Sequence, residues 1–226
     1  MSIQAKIYKI LFVFFSDNFI YQNKSTLLSE LKKKKSFKES NETILPLPDN
    51  IPPEIPIMLL SKSNEYEIRF SRNRIDYISV NNFETQKILL SVDEIFNALN
   101  QRLKNVGLVI SLYFDDIPED QINTKIARFF NADNKDIFNM ENSSEFVLRN
   151  LYKKQLEIGE IKTEVNFSTT FTFANIEDKK RISVDFDINT FPSRNIEIDN
   201  TFVKHFIEKS FSEKEDFINK IKKVFV

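Results

Sequence analysis

The sequence predicts an α+β fold, built on a largely antiparallel, curved sheet that carries helices on one face. The main observation is the alternation of apolar and polar residues over 161–173, which resumes over 182–188 and is typical of two strands paired as a long hairpin. A second alternating pair, 66–70 and 75–77, flanks a polar turn and indicates another hairpin. Apolar residues at helical spacing over 95–103 indicate that helices alternate with these strands.

The N-terminal region predicts a strand, a helix and an irregular connection. Residues 5–15 favour a strand because β-branched and aromatic side chains dominate them. The helix that follows has Ser25 and Thr26 as caps, a stripe of leucines and a run of lysines at its end. Residues 38–56 contain five prolines, which favour an extended, irregular path.

The middle of the chain predicts further elements between the two hairpins. Ser91 and Glu94 form a capping-box pattern, so a helix is predicted to begin at Ser91. A strand is predicted over 108–114, and Pro118 is expected to open the next helix. Residues 132–157 predict a loop that contains a short helix.

The C-terminal region predicts two successive helices. Phe202 and Phe206 belong to the apolar stripe of the first helix. Ser212 and Glu215 then form a second capping-box pattern, which predicts a new helix start.

The order of elements suggests an internal duplication within one domain spanning residues 1–226. Residues 1–106 and residues 107–226 both read strand, helix, irregular connection, hairpin and helix, which is a βαββα unit. The stretch 15–17 after the first strand resembles 114–116 after its counterpart. This order is common in proteins and Phe and Ile are abundant here, so a chance match is the alternative.

Composition excludes several function classes. The chain has no cysteine, which removes disulfides, thiolate metal sites and cysteine nucleophiles. Its two glycines, Gly107 and Gly159, are too few for a phosphate-binding loop or a dinucleotide fingerprint. His205 is the only histidine, so two-histidine zinc motifs are excluded, and we expect it to be structural or solvent-facing. We therefore expect no cofactor and no enzymatic activity.

Charge and hydropathy predict a soluble, cytoplasmic protein. The formal net charge of -1, from 32 basic and 33 acidic residues, provides no overall attraction to nucleic acid or to acidic membranes. The apolar run at 10–15 is too short for a membrane span, and polar residues rather than a cleavage site follow it. We interpret this run as a buried strand.

Paired aspartates suggest an alternative, catalytic function. Asp185 and Asp187 flank Phe186, so strand geometry directs both carboxylates to the same face. Together with Asp115 and Asp116 at the end of another strand, they would offer the oxygen ligands that Mg²⁺ or Mn²⁺ prefers. A metal-dependent nuclease or phosphodiesterase would use such a site. The other interpretation is ordinary solvation of an exposed strand face.

Two segments are candidate binding sites. The lysine run is the densest positive charge and suits either a solvated helix end or a patch for phosphate, nucleic acid or an acidic protein. The proline segment would serve as an extended strip for a partner, or pack across its own domain through the isoleucines beside it. The candidate binding residues are Lys32, Lys33, Lys34, Lys35, Pro52, Pro53 and Pro56.

The chain resembles a functionally uncharacterised family of bacterial α+β proteins. The features that carry the resemblance are Pro-Pro-x-x-Pro at 52–56, Phe-Asp-Asp at 114–116 and Val-Asp-Phe-Asp-Ile at 184–188. The resemblance spans most of residues 50–226, and the chain departs from the family in lacking a Trp after the proline segment. It implies a sporadically distributed protein that lies among mobile or defence genes, and it transfers no catalytic residues.

These observations predict a non-enzymatic protein-binding or assembly factor of a bacterial or phage system. An accessory, antitoxin-like or chaperone-like role towards a protein encoded nearby would fit, because an open sheet face provides a binding surface. The metal-dependent nuclease or phosphodiesterase and a nucleic-acid-binding protein are the alternatives.

Overall fold

The computed structural model describes twelve helices and strands of the chain. The strands are β1 (Gln4–Phe15), β2 (Asn41–Ile44), β3 (Met58–Lys62), β4 (Tyr66–Phe70), β5 (Arg74–Ser79), β6 (Asn105–Asp115), β7 (Val147–Ile158), β8 (Ile161–Ile176) and β9 (Lys179–Thr190). The helices are α1 (Lys24–Lys33), α2 (Thr85–Leu99) and α3 (Asn200–Phe225). The described residues are 4–16, 24–46, 48, 50–81, 83–99, 103–115, 117, 121, 147–176, 179–191 and 196–225.

The nine strands form one curved, open antiparallel sheet, which confirms the predicted fold class. Their order is β2-β3-β4-β5-β1-β6-β9-β8-β7. The central pair is β1 with β6, in which Ile10 faces Ile110. On either side of it lies the last strand of each half of the chain, β5 beside β1 and β9 beside β6. A duplicated unit would give this symmetrical order, and the duplication itself stays a prediction.

Strand periodicity places the core on one face of the sheet, where the three helices pack. Ile10, Phe12 and Phe14 are fully buried and belong to the same cluster as buried residues of α1, α2 and α3. The Phe12 ring meets the Phe206 ring of α3 edge to face, with 6.2 Å between centroids. Truncation of such a buried Phe costs about 3–5 kcal/mol. Because the helices pack on this core face, the opposite face of the sheet is the one that they leave uncovered.

The second half of α3 extends the core along the same face. Ile218 and Ile221 are buried against a smaller cluster that includes Leu112, Phe171 and Val184. α3 is continuous from Asn200 to Phe225, so its length carries it across both clusters.

Several predicted elements are confirmed. The strand over 5–15 is β1, and the strand over 108–114 is β6. The hairpin of 66–70 with 75–77 is β4 with β5, and the long hairpin of 161–173 with 182–188 is β8 with β9. These segments share one property, a buried and an exposed face that alternate along the strand.

Both capping-box predictions are wrong. Ser91 is buried within α2, which begins at Thr85, and Ser212 lies inside the single helix α3. In each case the apolar stripe continues through the capping pattern, since Ile88 precedes Ser91 and Phe211 precedes Ser212 with their side chains buried. Packing against the sheet therefore decides where these helices begin.

The loop predicted over 132–157 is also partly wrong, because 147–158 form the strand β7. β7 pairs with β8 over its whole length, from Val147 opposite Thr172 to Ile158 opposite Ile161. The connection predicted over 38–56 contains the short strand β2. The helix predicted after Pro118 falls almost entirely outside the described residues.

None of the described helices has both the length and the apolar character that crossing a membrane requires.

Candidate functional site

The candidate site is the polar face of the sheet, defined as the side chains on β1, β6, β9, β8 and β7 that point away from the helices. Pair register places these side chains in rows across the strands. In one row, Lys9 faces Ser111, Ser111 faces Asp185, Asp185 faces Thr170, and Thr170 faces Arg149. Residues from distant parts of the chain thus meet on one surface, which no described helix covers.

Hydrogen bonds link the side chains of the polar face to one another. The Ser111 hydroxyl donates to Asp185 at 2.6 Å, and Arg149 Nε donates to the Ser168 hydroxyl at 3.0 Å. Both serines are buried, with exposed fractions of 0% for Ser111 and 3% for Ser168. Two further hydrogen bonds are linked through Asn189: the Asn166 amide donates to Asn189 at 3.1 Å, and the Asn189 amide donates to Asp187 at 3.3 Å. These donors and acceptors are therefore held in place before any ligand arrives.

Asp187 has an unusual electrostatic position on this face. Burial raises the pKa of its carboxyl group, and the neighbouring charge of Asp185 acts in the same direction. The hydrogen bond from Asn189 and the positive charges of Arg149 and Arg74 oppose this shift without cancelling it. Arg149 lies on β7 and Arg74 on β5, so guanidinium groups from both sides of β9 act on this carboxylate.

The structure brings together two of the four aspartates that were candidate metal ligands. Asp185 and Asp187 share the polar face, as strand periodicity predicts. Asp115 instead pairs with Lys6 and with Arg181, and it lies about 13 Å along β6 from the position opposite Asp185. Asp116 lies outside the described residues. Among the residues that are described, no three acidic or histidine side chains are grouped so as to hold a metal ion.

The lysine run ends α1 and enters the following turn. Lys32 and Lys33 occupy the last turn of the helix, where positive charge is favourable, and Lys34 and Lys35 follow it. Lys32 pairs with Glu42 at 2.8 Å, and Lys33 pairs with Glu30 at 2.6 Å. Two of the four charges are thus already matched by carboxylates of the same chain.

The proline segment is hydrogen-bonded to the turn between β4 and β5, and whether it also binds a partner stays a prediction. The carbonyl of Pro53 accepts a hydrogen bond from the Arg72 amide at 2.9 Å, in the turn between β4 and β5. Pro52 closes a local turn with Ile55 at 3.1 Å. The side chains of Pro52 and Pro53 are exposed, and that of Pro56 is half-buried.

Sequence reasoning missed the basic residues that act on Asp187 of the polar face. Arg149 lies in β7, which was predicted as loop or short helix, so its face was not assigned. Arg74 was assigned to a hairpin, but its relation to Asp187 depends on a strand order that spans the sheet. The available signal for a strand was the spacing of Val147, Arg149 and Leu151 at every second position. It was weak because this one face mixes apolar and basic residues.

None of the protein-family models matches this chain, and none of the curated proteins is detectably similar to it in sequence.

Proposed function

We propose that this protein is a non-enzymatic binding protein whose polar face holds a polypeptide partner. The observation that carries the proposal is the row of interlinked polar side chains around Ser111, Asp185 and Arg149. Side chains that are fixed before binding lose little conformational entropy when a partner arrives, which favours association.

The dimensions of the polar face favour a macromolecular partner over a small molecule. Five strands spaced by about 4.8 Å give a width of about 19 Å, and eleven residues of strand give a length of about 35 Å. The resulting area is on the order of 650 Å², close to the roughly 800 Å² that each partner contributes to a standard interface. Small-molecule sites are concave pockets that enclose most of the ligand, whereas this surface is broad.

The charges of the polar face favour a polypeptide with both hydrogen-bonding and charged groups. Arg149 provides a guanidinium donor, and Asp185 and Asp187 provide carboxylate acceptors. A mixed surface of this kind selects a partner by charge complementarity and fixes its register. The resemblance described above suggests the setting, a bacterial or phage cytoplasm in which an accessory, antitoxin-like or chaperone-like factor serves a protein encoded nearby.

Site-specific photo-cross-linking tests the proposal. A photoreactive amino acid at Thr170, in the middle of the polar face, is compared with one at Glu208, which is exposed on α3. We expect a discrete cross-linked protein from a lysate of the source cells with the Thr170 probe and not with the Glu208 probe. Ser168→Arg, which places a large side chain in the same face, should remove that product.

Three other outcomes would contradict the proposed function. Identical products from both probes would mean that the polar face is not the binding surface. Cleavage of nucleic acid in Mn²⁺ that is abolished by Asp185→Asn would favour the metal-dependent nuclease or phosphodiesterase instead. A salt-sensitive gel shift lost on replacing Lys34 and Lys35 would favour nucleic-acid binding.

A further inference from the structure

The strand β7 forms one edge of the sheet and is long. It comprises twelve residues, and within the described part of the chain it pairs with β8 alone. The opposite edge, β2, has four residues. A long edge strand presents backbone N–H and C=O groups that another strand can pair with, and most proteins shorten or block such edges.

The turn between β7 and β8 determines which residues of β7 offer these backbone groups. Gly159 and Glu160 form a two-residue turn, and Gly159 has φ of 59°, as the first position of a type II′ turn requires. Ile158 and Ile161, which flank this turn, therefore form a hydrogen-bonded pair. Hydrogen-bonded pairs recur at every second position, so the even-numbered residues of β7 bond to β8. The odd-numbered residues direct their N–H and C=O groups to the outer edge.

These odd-numbered residues are also the ones whose side chains lie on the polar face. Along the edge they read Val147, Arg149, Leu151, Lys153, Gln155 and Glu157, so apolar and basic residues alternate over the first four positions. Lys153 also pairs with Glu164 at 3.3 Å, an ion pair with both side chains largely exposed. Val147 is 68% exposed and Leu151 is 60% exposed, which are large values for apolar side chains in a strand. Backbone groups, exposed apolar contacts and positive charge thus coincide on one edge.

A second copy of the chain does not match this edge in the register that joins the two Leu151 side chains. Antiparallel pairing of two β7 strands that joins the two Leu151 side chains would place Arg149 of one copy opposite Lys153 of the other. Like charges directly opposite each other destabilise an antiparallel pair. Acidic residues at those positions would be attracted instead, and apolar residues would cover Val147 and Leu151.

We propose that β7 is a strand-addition site for an extended polypeptide segment in which apolar and acidic residues alternate at every second position. The added segment extends the nine-stranded sheet by one strand and continues the polar face beyond Arg149. This inference rests on the proposed function, since it specifies where the polypeptide partner joins and what its chemistry is.

A synthetic peptide tests this site without knowledge of the natural partner. The probe is a fluorescent twelve-residue peptide that repeats Val-Thr-Glu-Thr three times, with both ends blocked. In the proposed arrangement its Val and Glu residues lie opposite the odd-numbered residues of β7, so their N–H groups point at β7. We expect fluorescence anisotropy to detect binding by the full-length protein, and we expect a peptide with Lys in place of Glu to bind at least tenfold more weakly.

Two isomers of the peptide distinguish strand addition from general attraction. One carries an N-methyl group on the central Val and the other carries it on the neighbouring Thr, so that their composition and charge are identical. We expect the first to bind at least tenfold more weakly than the unmodified peptide and the second to bind within about twofold of it. Equal affinity of the two isomers would overturn the proposal.

Matched variants of the protein locate the site. Leu151 and Ile44 are both 60% exposed and lie on opposite edges of the sheet, so Leu151→Thr and Ile44→Thr remove similar apolar surface. We expect Leu151→Thr to weaken binding severalfold and Ile44→Thr to leave it unchanged. Lys153→Gln should weaken binding at low salt, with a difference that shrinks as salt is added. An unchanged affinity in both β7 variants would contradict the assignment.

Failure here is distinguishable from failure of the proposed function. A cross-linked partner at Thr170 without binding of the peptide would leave the polar face as the binding surface and remove the role of the β7 edge. Binding of the peptide at β7 without a cross-linked partner at Thr170 would retain the edge and remove the polar face.

Discussion

The Nδ1 atom of His205 in α3 lies 2.5 Å from the position that a β-carbon on Gly159 would occupy. Gly159 has φ of 59°, a region in which side-chain-bearing residues are strained. The only histidine of the chain therefore packs against the tip of the β7–β8 hairpin, as a structural residue would. This contact joins the C-terminal helix to the edge of the sheet that is proposed to bind a partner.

Gly159→Ala is expected to lower the free energy of unfolding by about 2–3 kcal/mol, since the new methyl group adds a clash to an unfavourable backbone conformation. Urea denaturation measures the change. In a His205→Ala background the clash is absent, so the same substitution should cost only about 1 kcal/mol. Equal costs in the two backgrounds would show that His205 does not confine the turn.

Asp187→Asn is expected to stabilise the protein at neutral pH. Burial raises the pKa of Asp187, so the folded state holds its proton more tightly than the unfolded state, and ionisation disfavours folding. The destabilisation is absent below the unfolded pKa and grows as pH rises through the folded pKa. We therefore expect a gain on the order of 1 kcal/mol at pH 7 that diminishes towards pH 4.

Urea denaturation of Asp187→Asn and of the unmodified protein across this pH range measures that difference. A gain that increases on acidification would have the opposite sign and would refute the proposed role of burial.

Arg181→Lys is expected to destabilise the protein although it preserves the charge. The Arg181 guanidinium lies 4.3 Å from the centre of the Tyr113 ring and 3.2 Å from Asp115. A lysine ammonium group cannot stack on the ring and bind the carboxylate in the same way, so we expect a loss of about 1–2 kcal/mol in thermal or urea denaturation. Arg69→Lys, at an exposed ion pair with Glu67, is the control and should change stability by less than about 0.5 kcal/mol.

The same ion pairs predict a pH dependence that Asp115→Asn should remove. Lys6, and then the charge of Arg181, hold the pKa of Asp115 below its usual value, although burial opposes them. A lowered pKa means that the ionised carboxylate stabilises the fold at neutral pH and that this contribution is lost as pH falls through the folded pKa. The penalty of Asp115→Asn should accordingly be largest near pH 7 and smallest in acid. A penalty that is constant with pH would indicate a packing role only.

The elements that sequence reasoning predicted are those with one solvent-exposed and one buried face. In β8 and β9 the alternation of Phe167 and Ile188 with polar neighbours identifies both the strand and its inner face. β7 lacks this signal because apolar residues lie on both of its faces, Val147 and Leu151 on one and Leu148 and Tyr152 on the other. Its strand conformation arises from pairing with β8, which a local pattern does not encode.

The candidate site was predicted in part for the same reason. Strand periodicity alone placed Asp185 and Asp187 on a common face, and the structure agrees. The partners of these carboxylates depend on strand order, since Ser111 lies 74 positions from Asp185 in the chain. Long-range order of this kind requires tertiary structure, which explains why Arg149 and Arg74 were not recognised.

The pairing of β1 with β6 has a consequence for how the chain is made. Phe15 pairs with Asn105, which leaves the ribosome about 90 positions later. Strands β1 to β5 and the first two helices can assemble before β6 is synthesised. Until then β1, which carries Phe12 and Phe14, has one unpaired edge. A nascent chain that stalls after α2 would therefore expose an unpaired strand edge to which other chains can bind. Prompt synthesis of β6 covers that edge.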